Sequence, residues 1–545
     1  MTVRQSVANV RERLRLPPAK GRAAATWASD LFERVVLDLW NDIAPVGESG
    51  VALVAQGGFG RREMSPHSDI DLMVLHAAKP PLALRAGELA KRLLQGLFDA
   101  GLEVGQSVRT SLLSCRLAAE DATILTSLLD ARLLAGDEAV FSDMSTRLRR
   151  SLRSRRRSAA AVIAARREER HRFGETVWLL EPNVKRSPGA LRDIQLVRWL
   201  GVLGWDADDM DTLAAAGGIG REDVAVLRSA EDFLVDVRWS LHLAAGRSSD
   251  ELTRDEQVRI AAERGIASDE GLLAVERFMR EWFGHTRRVS RVARRLEDRL
   301  VPSRPMSRRI DRVFSRPVDG LFRVGAGAVW VPLRDVPAVA ADLTKILRLQ
   351  SLSVSSGRPV DRETWDAVLD AVHPSDLAVD DSARAVFLQL FEPVGDGPAR
   401  EPRVGPGRAL RQLHDAELLE RIVPAFRHAA GLMQFNNYHK YTVDEHCIHA
   451  VEQACLLAAS SDWLGDVWRD LRRRRTVLIA LLLHDLGKGF PEDHSIVGAA
   501  IAREMATWLG LPADESVIVE WLVAKHLLMS LLAFRRNAAD ESLVV

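Results

Sequence analysis

The sequence predicts a multidomain, mostly helical protein that opens with a small α/β unit. Three observations carry that expectation. The chain has 545 residues, more than one hydrophobic core usually organises. Short apolar runs punctuated by glycine-rich turns crowd into residues 51–110, and long stretches rich in Ala, Arg and Leu at helical spacing follow. EPVGDGPAREPRVGPGR (392–408), dense in Gly and Pro, then reads as a linker before a last helical part that carries histidines.

Taken in order, residues 24–45 (AATWASDLFERVVLDLWNDIAP) show helical spacing of apolar positions and end at a proline. VALVAQ (51–56) reads as a buried strand, GGFG (57–60) as a turn and DIDLMVL (69–75) as a second strand. The stretch 81–101 is helical again, and GLEVGQSVRT (101–110) is a third strand, so 1–140 forms one α/β domain. From 141 to 300 the pattern is almost wholly helical. SRPMSR (303–308) breaks it, and 301–400 is a mixed α/β connecting region with GLFRVGAGAVWVPL (320–333) as its best strand candidate. Residues 409–545 return to helix.

Composition narrows the function classes. Lys plus Arg equal Asp plus Glu at 75 each, so no net charge draws the molecule to nucleic acid or to a membrane surface. The basic runs RLRRSLRSRRRS (147–158) and RRRR (472–475) read as solvated helix faces. Three cysteines, Cys115, Cys447 and Cys455, are too few for a disulfide framework or a thiolate zinc site. The N-terminus is charged where a signal peptide would be apolar, and VLIALLLH (477–484) is far short of a membrane span. A cytoplasmic protein is expected.

The most specific short stretch is GGFGRREMSPHSDIDL (57–72). Strand alternation puts Asp69 and Asp71 on one face and Ile70 in the core. Paired carboxylates repel unless a cation sits between them, and Mg²⁺ takes carboxylate oxygens together with substrate phosphate oxygens. Gly57 and Gly58 allow backbone N–H groups to approach a triphosphate, and Ser68 offers a hydroxyl. A dinucleotide fingerprint and a P-loop are both excluded, because the third glycine and the GKS/GKT are missing. What remains resembles the nucleotidyltransferase superfamily, with its glycine pair followed about ten residues later by Asp-hydrophobic-Asp. That resemblance implies a third acid on a later strand, here Glu103, and a nucleotide-binding set of Gly57, Gly58, Arg61 and Ser68.

A second constellation lies in YTVDEH (441–446), LLLHDLGKG (481–489), DHSIVG (493–498) and AKHLLMS (524–530). Imidazoles and carboxylates drawn from different helices are how helical bundles build metal sites. A lone histidine on a helix is usually structural; four, one of them in an HD pair followed by LGKG, are not lone. The set resembles the HD superfamily of metal-dependent phosphohydrolases. The resemblance implies His446, His484, Asp485 and Asp540 as metal ligands. It implies His494 and His526 as further ligands for a second metal or the phosphate, and Lys488 as a group that steadies phosphate charge.

Both sites on one chain suggest attachment and removal of a nucleotide. GGFGRREMSPHSDIDLMVL, GLEVGQSVRTSLLSC, LLEPNVKRSPGALRDIQ (179–195), MQFNNYHKYTVDEH (433–446) and DHSIVGAAIA with AKHLLMSLLAFRRNAAD follow one another as in the bifunctional PII uridylyltransferase/uridylyl-removing family. That resemblance implies transfer of UMP from UTP to a tyrosine of the PII nitrogen-signalling protein, with Mg²⁺ on Asp69 and Asp71. It also implies hydrolysis of the UMP–tyrosine diester at the HD site, where Mn²⁺ is an alternative metal. Asp69, Asp71, Glu103, His484, Asp485 and Lys488 are then the catalytic set, and no nucleic acid or membrane partner is expected. The alternatives are a related enzyme acting on another protein or a nucleotide, and a non-catalytic scaffold that binds PII or nucleotides.

Within the family, LLEPNVKRSPGALRDIQ belongs to a helical substrate-handling region. Its Lys185, Arg192 and Asp193 are open to two readings, substrate handling or a structural ion cluster. The chain departs from the family pattern at Arg186, Ser187 and Ala190, at Arg62 (GRREM for GRGEL) and at Asn537. Family members continue into two glutamine-sensing ACT domains, whereas this sequence stops at DESLVV, so glutamine sensing is not expected of it.

Overall fold

The structure is a computed structural model that describes residues 2–44, 49–152, 155–174, 176–268, 272–301, 314–373, 376–392, 404–433 and 441–529. The chain divides into two compact units, Met1–Gly265 with Glu281–Ser303, and Ile266–Arg280 with Arg304–Val545. The segments read separately as 1–140 and 141–300 therefore lie almost wholly in one unit.

In the first unit, β1 (Val51–Ala55), β2 (Ile70–His76), β3 (Val104–Thr110) and β4 (Arg132–Gly136) form one sheet in the order β3-β2-β1-β4. β1 lies antiparallel to β2 and β4, and β2 runs parallel to β3. Every residue of β1 is buried, as its unbroken apolar run requires of a strand covered on both faces. Val51, Leu53, Leu72 and Val74 pack in one core with Phe32, Val36 and Leu39 of helix Gly21–Ile43 and Leu89, Leu93 and Leu97 of helix Pro80–Asp99. On the other face Met73 meets Ser114 of helix Ser111–Glu120, whose first turn is capped by the Thr110 hydroxyl.

Two local expectations change. GGFG is one turn of helix, Gly57–Gly60, rather than an open turn. Gly57 enters it at φ +53°, and the N–H groups of Gly60 and Arg61 donate to the carbonyls of Gln56 and Gly57. β4 has no alternating pattern to announce it; pairing with β1 across a register shift at Leu53/Val54 makes it a strand.

In the second unit, Arg316–Val318, Phe322–Val324 and Val329–Trp330 form a three-stranded antiparallel sheet. Its residues Phe322 and Val329 share one hydrophobic core with Ile346, Phe387, Leu410, Ile448, Leu482 and Val523. The connecting region and the C-terminal helices are thus packed together. Within the linker stretch 392–408, residues 393–403 lie outside the described residues, and Pro406 opens helix Pro406–Asp415, where its fixed φ suits the first helical turn. Among the described residues no helix is long and apolar enough to cross a membrane. All three cysteines are free thiols.

Candidate active sites

In the first unit, β2 places Ile70 in the core, fully buried, and Asp71 on the opposite face. Asp69 stands exposed just before the strand. The Asp71 carboxylate is wedged between two glycines. A Cβ on Gly57 would come within 2.5 Å of Asp71 Oδ2, and one on Gly105 within 2.4 Å of Oδ1. Burial, then the charge of Asp69, pushes the Asp71 carboxyl up to about 6, against the pull of Lys185, Arg61 and Arg192. Two neighbouring acids of this kind are an arrangement that a cation relieves. Glu103 directly precedes β3; its carbonyl accepts from Ile70 N–H at 2.9 Å, and its exposed side chain acts on the charge of His67.

The loop ahead of these acids is clamped by residues far away in sequence. Arg238, on helix Arg221–Ala245, donates to the Ser65 and Ser68 hydroxyls at 3.2 and 3.3 Å and to Asp250 Oδ1 at 2.7 Å. His67 N–H donates to His242 Nδ1 at 3.2 Å. That bond fixes the tautomer: Nε2 carries the proton and faces Asp250 Oδ1 at 3.3 Å. Burial keeps His242 below its ordinary range and so in this neutral form. The Ser68 hydroxyl, expected at the phosphates, also accepts from Ser65 N–H at 3.0 Å.

Arg61 is similarly engaged. It donates to Glu63 Oε2 at 2.8 Å and to Asp130, and its guanidinium lies over the Trp199 ring. Glu63 also accepts from Gln195 at 3.0 Å and from Arg198, and Arg198 continues to Glu231 at 2.6 Å. Against the cost of burial, Arg61 and Arg198 hold the Glu63 carboxyl at about 2. Arg62 has a left-handed backbone, φ +61°, and pairs with Asp30.

The two readings of LLEPNVKRSPGALRDIQ separate residue by residue. Asp193 is fully buried, accepting from Arg166 at 2.7 Å, Arg170 at 2.8 Å and Gly189 N–H at 2.7 Å; it is the centre of an ion cluster. Ser187 is buried and bonds to Phe173 O and Asn183 N–H, and Ala190 is buried at the start of helix Leu191–Trp205. Lys185 and Arg192 instead lie close enough to Asp71 to act on its charge.

In the second unit, helix Val443–Leu457 supplies His446, the end of helix Arg474–Leu483 supplies His484 and Asp485, His494 starts helix His494–Leu509, and His526 ends helix Ala513–Lys525. All five converge. His446, His484 and Asp485 place ligand atoms within 4.8 Å of one another, and so do Asp485, His494 and His526. Asp485 belongs to both groups, with Oδ2 at 3.5 Å from His446 Nε2 and 3.4 Å from His484 Nε2, and Oδ1 at 3.5 Å from His526 Nε2.

The second layer fixes the tautomers. His484 Nδ1 donates to Leu481 O at 2.8 Å and His526 Nδ1 to Val523 O at 2.7 Å. Each leaves Nε2 directed into the site, as metal-binding histidines require. Among the described residues the buried Nε2 of His526 has no hydrogen-bond partner, so the donor set fits a metal. Lys488 donates to Asp485 Oδ2 at 2.7 Å. Against the cost of burial, His484, His526 and Lys488 hold the Asp485 carboxyl far below its usual range. Despite its own burial, His484 is held well above its ordinary value by Cys447 and Asp485. Asp540 and Asn537 lie outside the described residues.

An α/β nucleotidyltransferase fold followed by an HD domain, the second with a metal-binding cluster, defines the class of protein. Residues 157–297 match the GlnD PII-uridylyltransferase family and residues 443–544 the HD domain. The chain is 36% identical over 513 residues to a bifunctional uridylyltransferase/uridylyl-removing enzyme of Cereibacter sphaeroides, covering 92% of this chain and 54% of that protein. It is 35% identical to the enzyme of the same name from Ruegeria pomeroyi, with 92% and 55% covered, and 31% identical to that of Novosphingobium aromaticivorans, with 98% and 59% covered. The chain therefore carries a GlnD PII-uridylyltransferase domain and an HD domain, in that order, and spans about half the length of the curated relatives it matches.

Proposed function

We propose that this protein transfers UMP from UTP to a tyrosine of a PII nitrogen-regulatory protein and hydrolyses UMP from the modified protein, in the cytoplasm. The observation that carries the reading is the presence of two chemically distinct sites, one in each unit: the Asp69/Asp71 pair on a strand, and the His446/His484/Asp485/His494/His526 cluster.

Asp69 and Asp71 hold Mg²⁺ in the first site, and the cluster holds Mg²⁺ or Mn²⁺ in the second. When bound, these ions neutralise phosphate charge and acidify water. In transfer, the tyrosine hydroxyl gives up its proton to solvent as its oxygen bonds to the α-phosphorus, and the bond to pyrophosphate breaks. The chain's part is positioning: Gly57 and Gly105 seat the Asp71 carboxylate, while Arg238 and His242 fix the loop before it. Gly57 and Gly58 face the triphosphate, and Glu103 completes the acids. In removal, water attacks the phosphorus and the tyrosine leaves with a proton, so removal is not the reverse of transfer. Lys488, beside Asp485, steadies the phosphate.

The test is to incubate the protein with PII, labelled UTP and Mg²⁺, weigh PII by mass spectrometry, then remove UTP and weigh it again. A gain of UMP followed by its loss is expected. If PII acquires no label, PII is not the substrate. Asp71→Asn should abolish the gain alone and His484→Ala the loss alone.

A further inference from the structure

We propose that Lys185, seconded by Arg192, is the polyphosphate-binding arm of the transferase site, taking the non-bridging oxygens of the nucleoside triphosphate opposite Asp69 and Asp71. The inference rests on the transferase reading above and adds the side chains that meet the triphosphate's charge.

Three cations act on Asp71 and a fourth, Arg238, holds the loop before it, and their commitments differ. Arg61 is engaged by Glu63 and Asp130, and Arg238 by Asp250 and two serine hydroxyls. Arg192 has a long pair with Glu169, 3.8 Å, and a bond to Gln195 at 3.0 Å. Lys185 has no carboxylate within ion-pairing distance of its ammonium among the described residues. Lys185 itself is partly buried. Burial, then the charges of Arg238 and Arg192, push the ammonium down to about 8, with Asp250 and Asp69 pulling the other way. A partly buried cation with no carboxylate paired to it is left for an anion to meet.

The backbone is built to hold that cation in place. Val184 N–H donates to Asp250 O at 2.7 Å, and Asn183 bridges to Glu251. Arg192 N–H donates to Lys185 O at 2.9 Å, which sets the two residues side by side. The first N–H groups of helix Leu191–Trp205 are thereby occupied, so side chains rather than the helix end must meet the anion.

Charge balance gives the ligand. Two carboxylates cancel one divalent ion, which leaves the charge of a triphosphate unmet. An ammonium that acts as a point charge on phosphate oxygens meets that need. Arg192 and Arg61 both lie over the Trp199 ring, and Asp250, whose carbonyl accepts from Val184 N–H, takes Arg238, which also holds Ser68 beside Asp69, so the cations and the acids share one site.

Calorimetric titration of the protein with inorganic tripolyphosphate and with Mg²⁺–UTP tests the proposal. Lys185→Met should weaken both by about tenfold or more, leave hydrolysis of UMP from modified PII unchanged, and be largely rescued by Lys185→Arg. In the unsubstituted protein, tripolyphosphate should slow acetic anhydride labelling of Lys185, a readout that holds even if the variant fails to fold. Unchanged tripolyphosphate affinity in Lys185→Met, or no protection of Lys185, overturns the proposal. Protection of Lys185 without any labelling of PII leaves this proposal standing and removes PII as the substrate.

Discussion

Gly105 faces Asp71 across the parallel β2–β3 pair, so close that a single methyl group on it would lie 2.4 Å from Asp71 Oδ1. The strand backbone at Gly105 tolerates alanine, because its φ is not in the left-handed region. Gly105→Ala therefore displaces the carboxylate rather than the fold. Uridylyl transfer is expected to fall about 100-fold, the usual cost of moving a reacting group by an ångström, with the melting temperature shifted by only a few degrees. Steady-state transfer rates alongside calorimetry check it, and an unchanged rate would show that Asp71 is free to move.

Arg62 adopts φ +61° where the related pattern has glycine. A side chain in that region costs roughly 1–2 kcal/mol, whereas its half-exposed pair with Asp30 returns at most about 1 kcal/mol. Arg62→Gly should accordingly raise the melting temperature of the first unit slightly. A lower melting temperature would mean that the Asp30 pair outweighs the backbone.

His414 is buried between Glu420 Oε1 at 2.9 Å and Asp444 Oδ2 at 3.2 Å. Against its burial, the two carboxylates raise the imidazolium to about 10 from an ordinary 6.5. The folded value lies above the unfolded one, so this stabilisation is complete below about pH 6.5 and is lost as pH rises toward about 10. The slope is at most about 1.4 kcal/mol per pH unit. Urea unfolding of the second unit between pH 6 and 10 should show that decline. His414→Gln, which leaves two buried acids without their cation, should cost about 3–5 kcal/mol at neutral pH.

Because Asp485 belongs to both ligand groups, Asp485→Asn should abolish metal retention by the second-unit cluster, whereas His446→Ala or His526→Ala should lower it in part. Metal content after chelation and re-addition of Mn²⁺ measures this. Chelation should stop removal of UMP in every case, and uridylyl transfer should return on adding Mg²⁺ even in Asp485→Asn. Equal metal retention in all three variants would place the metal elsewhere.

The parts of these sites legible in the sequence are those whose chemistry is contiguous. Asp69 with Asp71, and His484 with Asp485, sit one or two residues apart, so each pair can be read from a single short stretch. The histidines of the second cluster were readable because each stands in a short distinctive stretch. What could not be read depends on partners far along the chain. Arg238 and His242 reach the loop at Ser65–Ser68 from about 170 residues away, and nothing local marks them. Arg61 looked like a phosphate ligand from its place beside the glycines, but Asp130 and Glu63 engage it. β4 escaped because its pairing with β1, not its own residues, makes it a strand.

The chain of ion pairs that begins at Glu63 bears on how the protein can be handled. From Glu63 it passes through Arg198 and Glu231 to Arg22, drawing together the aspartate-bearing loop and two helices more than 130 residues downstream. The sheet is thus not a detachable cartridge. A labelling tool cut from this protein at residue 140 would lose Arg198, Glu231, Arg238 and His242 at a stroke, exposing Glu63 and freeing the loop that leads to Asp69 and the Asp71 strand. A fragment that keeps these contacts reaches residue 303, where the first compact unit itself ends.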